Sequence, residues 1–447
     1  MLPSLGEEGV QTCTLRDLVP GAAAFPDEPD PEVARLKATA AMVGAIEPAV
    51  RLYEERPADG MEVETPYADV WLSPDDWAEA FEAADPGVPH NVARDDVWDA
   101  LLTILADKVD DEEVPADQLR RALARNEQLV DAFDRAWTVV DPEDLVGDLW
   151  SVPAYLRRCA PWLSADEVRL LQRADPQAWT VSDLPLLDAA RQRLGDPQAS
   201  LRRRQREAAL AAATEEMDRV VDHLVATDDT EMKVMSMLRV DDLQHALVDE
   251  SAVATADPDL LAGPFAHVVV DEAQELTDAE WQMVLSRCPS RSLTIVGDRA
   301  QARRAFTESW AERLERVGVA QVTQRSLTIN YRTPAEVMAE AEPVIRAALP
   351  DANVPTSVRS SGIPVTHGAV ANLDEVLATW LADHAEGTAC VIGAPGAAET
   401  SRVRSLTPEL AKGLEFDLVV LVDPGRWSAV DRYVAMTRAT QRLVVLG

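Results

Sequence analysis

Two adjacent carboxylates, Asp271 and Glu272, follow Val268, Val269 and Val270 and precede Ala273 and Gln274. A short apolar run that stops on a carboxylate pair reads as a buried parallel strand. Its acids then lie at the carboxyl end, where α/β sheets collect their ligands. There the first acid can hold Mg2+ through water, and the second can orient or deprotonate a water that attacks a γ-phosphate. Adjacent acids alone mean little in an acidic chain, so the apolar approach and the Ala-Gln exit carry the signal. A second apolar run, Leu293 to Val296, leads into Gly297, Asp298 and then Gln301. Gln301 is an uncharged group able to sense a γ-phosphate, and Gly297 permits a tight turn after the strand. Alone, this pattern would be a surface turn. Its place at the end of the next strand makes it a candidate sensor.

Further on, Leu327, Thr328 and Ile329 run into Asn330, Tyr331, Arg332, Thr333 and Pro334. A tyrosine can stack on a purine, and an arginine offers a planar fork to a phosphate. Two more segments follow, Lys412-Gly413-Leu414-Glu415-Phe416-Asp417 and Arg432-Tyr433-Val434-Ala435-Met436-Thr437-Arg438-Ala439. Separately these are a turn and a helix, and Arg438 could be a surface ion pair of little worth.

As an ordered set, Asp-Glu-Ala-Gln, Gly-Asp-x-x-Gln, Asn-Tyr-Arg, Lys-Gly-Leu-Glu-Phe-Asp and Tyr-Val-Ala-Met-Thr-Arg-Ala resemble motifs II through VI of the superfamily 1 helicases of the UvrD, Rep and PcrA type. The finer resemblance is to the HelD and HelR group, motor ATPases that strip and recycle bacterial RNA polymerase. It rests on the opening Leu2-Pro3-Ser4-Leu5-Gly6-Glu7, a long helical stretch before the Asp-Glu motif, and the wording Leu327 to Arg332. The resemblance implies ATP and Mg2+ as the working ligands. It assigns Asp271 to Mg2+, Glu272 to water activation and Gln301 to the γ-phosphate. Tyr331 would stack on adenine, Glu415 beside Gly413 would meet the ribose, and Arg332 and Arg438 would be arginine fingers. Such fingers act when two RecA-like lobes close, which couples hydrolysis to lobe motion.

The family also carries a Gly-x-x-x-x-Gly-Lys-Ser/Thr phosphate loop ahead of these motifs, and the 447 residues contain none. The chain therefore reads as the carboxyl part of a longer protein. By itself it is expected neither to bind ATP tightly nor to turn it over.

The elements that must hold these residues form two textures. From about 31 to 238 the pattern is mostly helical, after an acidic proline-bearing linker at Phe25 to Pro31 and a short strand and turn over 11–18. Trp71, Trp77, Trp98, Trp137, Trp150, Trp162 and Trp179 fall in this region and predict a core of its own. Leu210, Ala213, Met217, Val221 and Leu224 make an amphipathic stripe behind a basic knot, Arg202 to Arg206. From about 239, strands alternate with helices. Strands are expected at 267–270, 293–296, 326–329, 389–392, 417–422 and 442–446, with helices at 278–287, 334–348 and 373–384. The fold class expected is α/β, two RecA-like parallel-sheet lobes with a large, mostly helical insertion in an incomplete first lobe. The boundaries are 1–26 for a remnant of the first lobe, 27–238 for the insertion, 239–325 for the rest of that lobe and 326–447 for the second.

Charge separates the possible functions. The chain carries 42 basic and 78 acidic residues, a net −36. The first 150 residues hold 35 acids and 11 bases, or −24, which leaves −12 for the rest. Such a surface repels nucleic-acid phosphates and suits a basic partner protein, unless the acids serve solubility alone. An acidic cluster, Asp110-Asp111-Glu112-Glu113 running on to Asp117, is either a solvated loop or a probe for a basic cavity. RNA polymerase core is the partner expected, with the chain a monomer. The alternatives are a translocase or helicase on single-stranded DNA and an inactive remnant that only binds protein. Cys13, Cys159, Cys288 and Cys390 show no metal or redox spacing, no apolar run reaches the roughly 18 residues of a membrane helix, and the amino terminus lacks a secretory pattern. A reduced cytoplasm is the compartment expected.

Overall fold

The computed structural model describes residues 10–109, 115–198, 260–304, 306, 308–394, 396 and 399–447. The acidic cluster at Asp110 to Glu113, the stripe from Leu210 to Leu224 with its basic knot, and the opening Leu2 to Glu7 lie outside them. The chain divides into two compact units, Met1–Pro264 with Thr277–Arg287, and Phe265–Leu276 with Cys288–Gly447.

The first unit is helical. Its elements are α1 (Pro31–Lys37), α2 (Ala40–Gly44), α3 (Ile46–Arg51), an antiparallel pair β1 (Met61–Glu64) and β2 (Asp69–Leu72), α4 (Pro74–Glu82), α5 (His90–Asp107), α6 (Ala116–Ala124), α7 (Glu127–Ala136), α8 (Pro142–Ser151), α9 (Pro153–Cys159), α10 (Ala165–Leu171), α11 (Leu184–Leu194) and α12 (Asp278–Arg287). Local chemistry starts the helices. Asp30 accepts from the Glu32 and Val33 amides with Pro31 in the first turn, and Ser73 and Ser164 form capping boxes with Asp76 and Glu167. Trp150, Leu145, Leu149 and Leu187 anchor one core, and Trp77, Phe133, Leu101 and Leu105 a second. One expectation needs correction. The strand over 11–18 is a 3-10 turn at Leu15–Leu18, because Thr14 and Asp17 satisfy each other's backbone locally and no strand among the described residues pairs with the segment. The core that the tryptophans predict is present, around Trp150 and Trp77, while Trp71 stands 57% exposed and Trp162 50% exposed.

The second unit holds β3 (Val268–Val270), β4 (Leu293–Ile295), α13 (Trp310–Arg316), β5 (Ile329–Asn330), α14 (Ala335–Ala348), β6 (Thr356–Ser357), β7 (Thr366–Gly368), α15 (Leu373–Asp383), β8 (Ala389–Ile392), β9 (Val403–Leu406), β10 (Phe416–Val422), α16 (Ala429–Met436) and β11 (Ala439–Leu446). Five strands form a RecA-like parallel sheet in the order β7-β11-β10-β8-β9. Side chains alternate faces along a strand, so β8 and β10 feed two cores. Cys390, Ile392, Val419 and Leu421 pack with Val337, Met338 and Ile345 of α14 and Tyr433 and Met436 of α16. Ala389, Val391, Leu418 and Val420 pack with Leu377 and Trp380 of α15. With both faces covered, β8 and most of β10 read as the continuous apolar runs that mark a buried parallel sheet. β3 and β4 make a shorter parallel pair in the register Val268↔Leu293 to Val270↔Ile295. The chain is thus α/β with a largely helical region.

Candidate nucleotide site

The Asp271-Glu272 pair follows β3 directly, but β3 is not the buried strand that the valine run predicts: Val269 is 56% exposed and only Val270 is buried. The pairing continues past the strands, since the Val296 amide donates to Val270 O at 2.8 Å and the Ala273 amide to Val296 O at 3.0 Å. Between them the backbone turns sharply: Glu272 sits in the left-handed region at φ 52°. A non-glycine residue held there stores strain, which proteins tolerate mainly where surrounding contacts fix it. Asp271 Oδ1 accepts from the Glu272 amide at 2.9 Å. Glu272 Oε2 accepts from Gln274 Nε2 at 2.6 Å and lies 3.0 Å from Lys412 Nζ. Gln274, 1% exposed, accepts from the Asp298 amide through Oε1 at 3.0 Å and so ties this motif to the next.

Gly297 turns the chain after β4 for a reason other than the one its sequence suggests. Its φ is not positive; a Cβ there would lie 2.7 Å from the Trp310 ring and 2.8 Å from Gln274 Oε1. Crowding, not handedness, requires the glycine. Asp298 then caps the next turn, accepting from the Ala300 amide at 2.9 Å and from Gln301 Nε2 at 2.8 Å.

In the Asn-Tyr-Arg motif the asparagine shapes the other two. Asn330 Oδ1 accepts from the amides of Arg332 at 2.9 Å and Thr333 at 3.1 Å, a side-chain turn that leaves Tyr331 72% exposed. Arg332 Nε meets Glu415 Oε1 at 2.6 Å, and Arg359 Nη1 donates to Arg332 O at 3.4 Å. Arg438 follows α16 and is only 4% exposed. Its Nε donates to Val434 O at 3.0 Å and its Nη2 to Gln301 Oε1 at 3.3 Å. Burial, with the Arg332 charge nearby, pulls its pKa below the ordinary arginine value. Burial likewise raises the pKa of Tyr433 above the ordinary tyrosine value, with Asp298 adding to the shift.

Gln301, Tyr331, Arg332, Glu415 and Arg438, drawn from four separate motifs, line one cavity of about 680 Å3 with Asp298, Asn330 and Arg359. It offers an exposed aromatic face, arginine forks and a carboxylate, a set that fits a base, a phosphate chain and a ribose. Asp271, Glu272 and Gly413 do not line it. Gly413 adopts φ 76° with open space around it, so its role is to turn the chain between Lys412 and Glu415. No group of three or more His, Cys, Asp or Glu side chains among the described residues could hold a metal ion. Lys412 and Arg359 join these residues without having been singled out as site residues in the sequence. The Lys412-Gly413 dipeptide was visible, but nothing in it foretold an ion pair with Glu272.

The profile of the viral superfamily 1 RNA helicase core domain matches residues 249–447. That part of the chain is similar to the cores of superfamily 1 helicases. Two solved structures of the arterivirus nonstructural protein 10 helicase, one of them in complex with DNA, are each 19% identical to it over 40% of this chain, with a TM-score of 0.26. The match spans 39% and 38% of those chains, about two fifths of their length. No curated protein matches the chain.

Proposed function

We propose that the chain acts in an ATP-driven motor of the superfamily 1 type that dissociates and recycles RNA polymerase. One observation carries the nucleotide half of this reading: Gln301, Tyr331, Arg332, Glu415 and Arg438 converge on a single cavity. Tyr331 offers its ring to the base, Glu415 its carboxylate to the ribose, and Arg332 and Arg438 their forks to the phosphates. Glu272 is the base for the attacking water and Asp271 the protein ligand for Mg2+, which would neutralise phosphate charge and polarise the bond that breaks.

The polymerase half rests on the helical unit. It has cores of its own, and the first 150 residues carry −24 of the total −36. An acidic body of this kind is repelled by DNA and attracted to basic nucleic-acid channels. Its setting is a cytoplasm; no helix among the described residues is long and apolar enough to cross a membrane. The match to an RNA helicase core supports a second reading only as a nucleic-acid motor, for which we propose single-stranded DNA as the track.

Capture of core RNA polymerase by the full chain at moderate salt, with labelled single-stranded DNA as competitor, separates the two. Polymerase retained despite the DNA supports recycling. DNA retained without polymerase supports the translocase, and retention of neither overturns both.

A further inference from the structure

Lys412 is one of four lysines in the sequence, and its ammonium is saturated by the chain itself. Nζ lies 2.6 Å from Glu275 Oε1, 3.0 Å from Glu272 Oε2 and 3.4 Å from Gln301 O, with the side chain only 16% exposed. An ammonium has three donors, and here each faces an oxygen. The arginines of the cavity are engaged in the same way, Arg332 by Glu415 and Arg438 by Gln301. The cations suited to a phosphate chain are therefore held by oxygens of the protein.

Lys412 also connects the two parts of the site. It touches the backbone of Gln301, whose side chain lines the cavity, and it holds Glu272, whose carboxylate does not reach the cavity. Gly413 at φ 76° presents it there. Resting on the nucleotide reading above, we propose that Lys412 is a phosphate-binding cation for whose ammonium Glu272 and Glu275 compete with the phosphate. Two carboxylates share one ammonium, so the cluster carries a net negative charge that opposes entry of a polyphosphate. A terminal phosphate gains the site by drawing Lys412 to its own oxygens. The same movement frees Glu272 Oε2 from its ion pair while Gln274 Nε2 keeps the carboxylate in place. Lys412 thereby links arrival of the phosphate to release of the base.

The test is isothermal titration of the full chain with sodium tripolyphosphate and, separately, ATP, each into wild type, Glu275→Gln, Lys412→Ala and Lys412→Arg. Glu275→Gln removes a competitor for the ammonium and is expected to tighten tripolyphosphate binding about fivefold, the scale of one partly exposed ion pair. Lys412→Ala is expected to weaken it about tenfold, the scale of one charge-assisted contact, with Lys412→Arg close to wild type. A purely structural ion pair would make Glu275→Gln and Lys412→Ala act alike, so opposite signs support the proposal and equal signs overturn it. Equal binding by all four proteins overturns the Lys412 assignment and leaves the nucleotide reading standing. No binding, even weak, of tripolyphosphate or ATP by any folded variant overturns both.

Discussion

Arg438 Nη2 donates to Gln301 Oε1 across 3.3 Å, which joins the end of α16 to the turn that follows β4. The contact holds a buried cation against neutral oxygens. Folding disfavours that charge, as the lowered pKa of Arg438 indicates. Arg438→Met is therefore expected to stabilise the protein by about 1 kcal/mol, raising Tm by roughly 2–4 °C, while weakening ATP binding. A melting curve shifted downward by several degrees would show that the arginine is structural instead.

Two glycines of the site differ in what they require. Gly297→Ala drives a methyl into the Trp310 ring and Gln274 Oε1 and is expected to cost about 1–3 kcal/mol. Gly413→Ala meets no atom within 4 Å and has only its φ of 76° to contend with, so about 1 kcal/mol is expected. Chemical denaturation of the two variants checks the order. A larger loss at Gly413 would sink the crowding argument.

How far the sequence could be read depended on the range of the forces involved. The helix at 278–287 is observed with the bounds expected, and the strands at β8 and β10 match within a residue, because apolar runs and helical spacing are local signals. β6, β7 and β9 were missed: Thr356–Ser357, Thr366–Gly368 and Val403–Leu406 are short and mostly polar, and only pairing with a neighbour makes them strands. The hairpin of β1 and β2 was hidden because each strand has only four residues and lies within a mostly helical pattern. At the site, the residues that line the cavity stood in recognisable motifs. Lys412 with Glu272 is a pairing across 140 positions, and no spacing rule reports it.

In the helical unit, Lys37 is 2% exposed and sits 2.8 Å from Asp183 Oδ1 and 3.2 Å from Glu28 Oε2, with Arg173 3.0 Å from Asp183 Oδ2. Burial alone would raise the Asp183 pKa, but Lys37 and Arg173 outweigh it and hold the carboxyl below its ordinary value. A depressed carboxyl pKa gives stability that is complete above the unfolded value near 4 and lost as pH falls through the folded value. The helical unit is therefore expected to lose stability below about pH 4 in a wild-type pH–Tm series, and that slope should flatten in Asp183→Asn. Lys37→Met leaves two acids without their shared cation and is expected to cost about 3–5 kcal/mol. An unchanged acid slope in Asp183→Asn would remove Asp183 from the account.

Glu272 is the last residue to test, because the proposed motor and the expected silence of this chain meet on it. Its carboxylate is engaged by Lys412 and Gln274, and the sequence has no glycine-rich lysine loop to hold the β- and γ-phosphates. The purified chain is expected to release no phosphate from ATP in the steady state, with or without core RNA polymerase. Phosphate release that survives Glu272→Gln comes from a contaminant. Release that disappears in Glu272→Gln and persists in Glu280→Gln, a change at a helix cap outside the site, would overturn the expectation and establish Glu272 as the base.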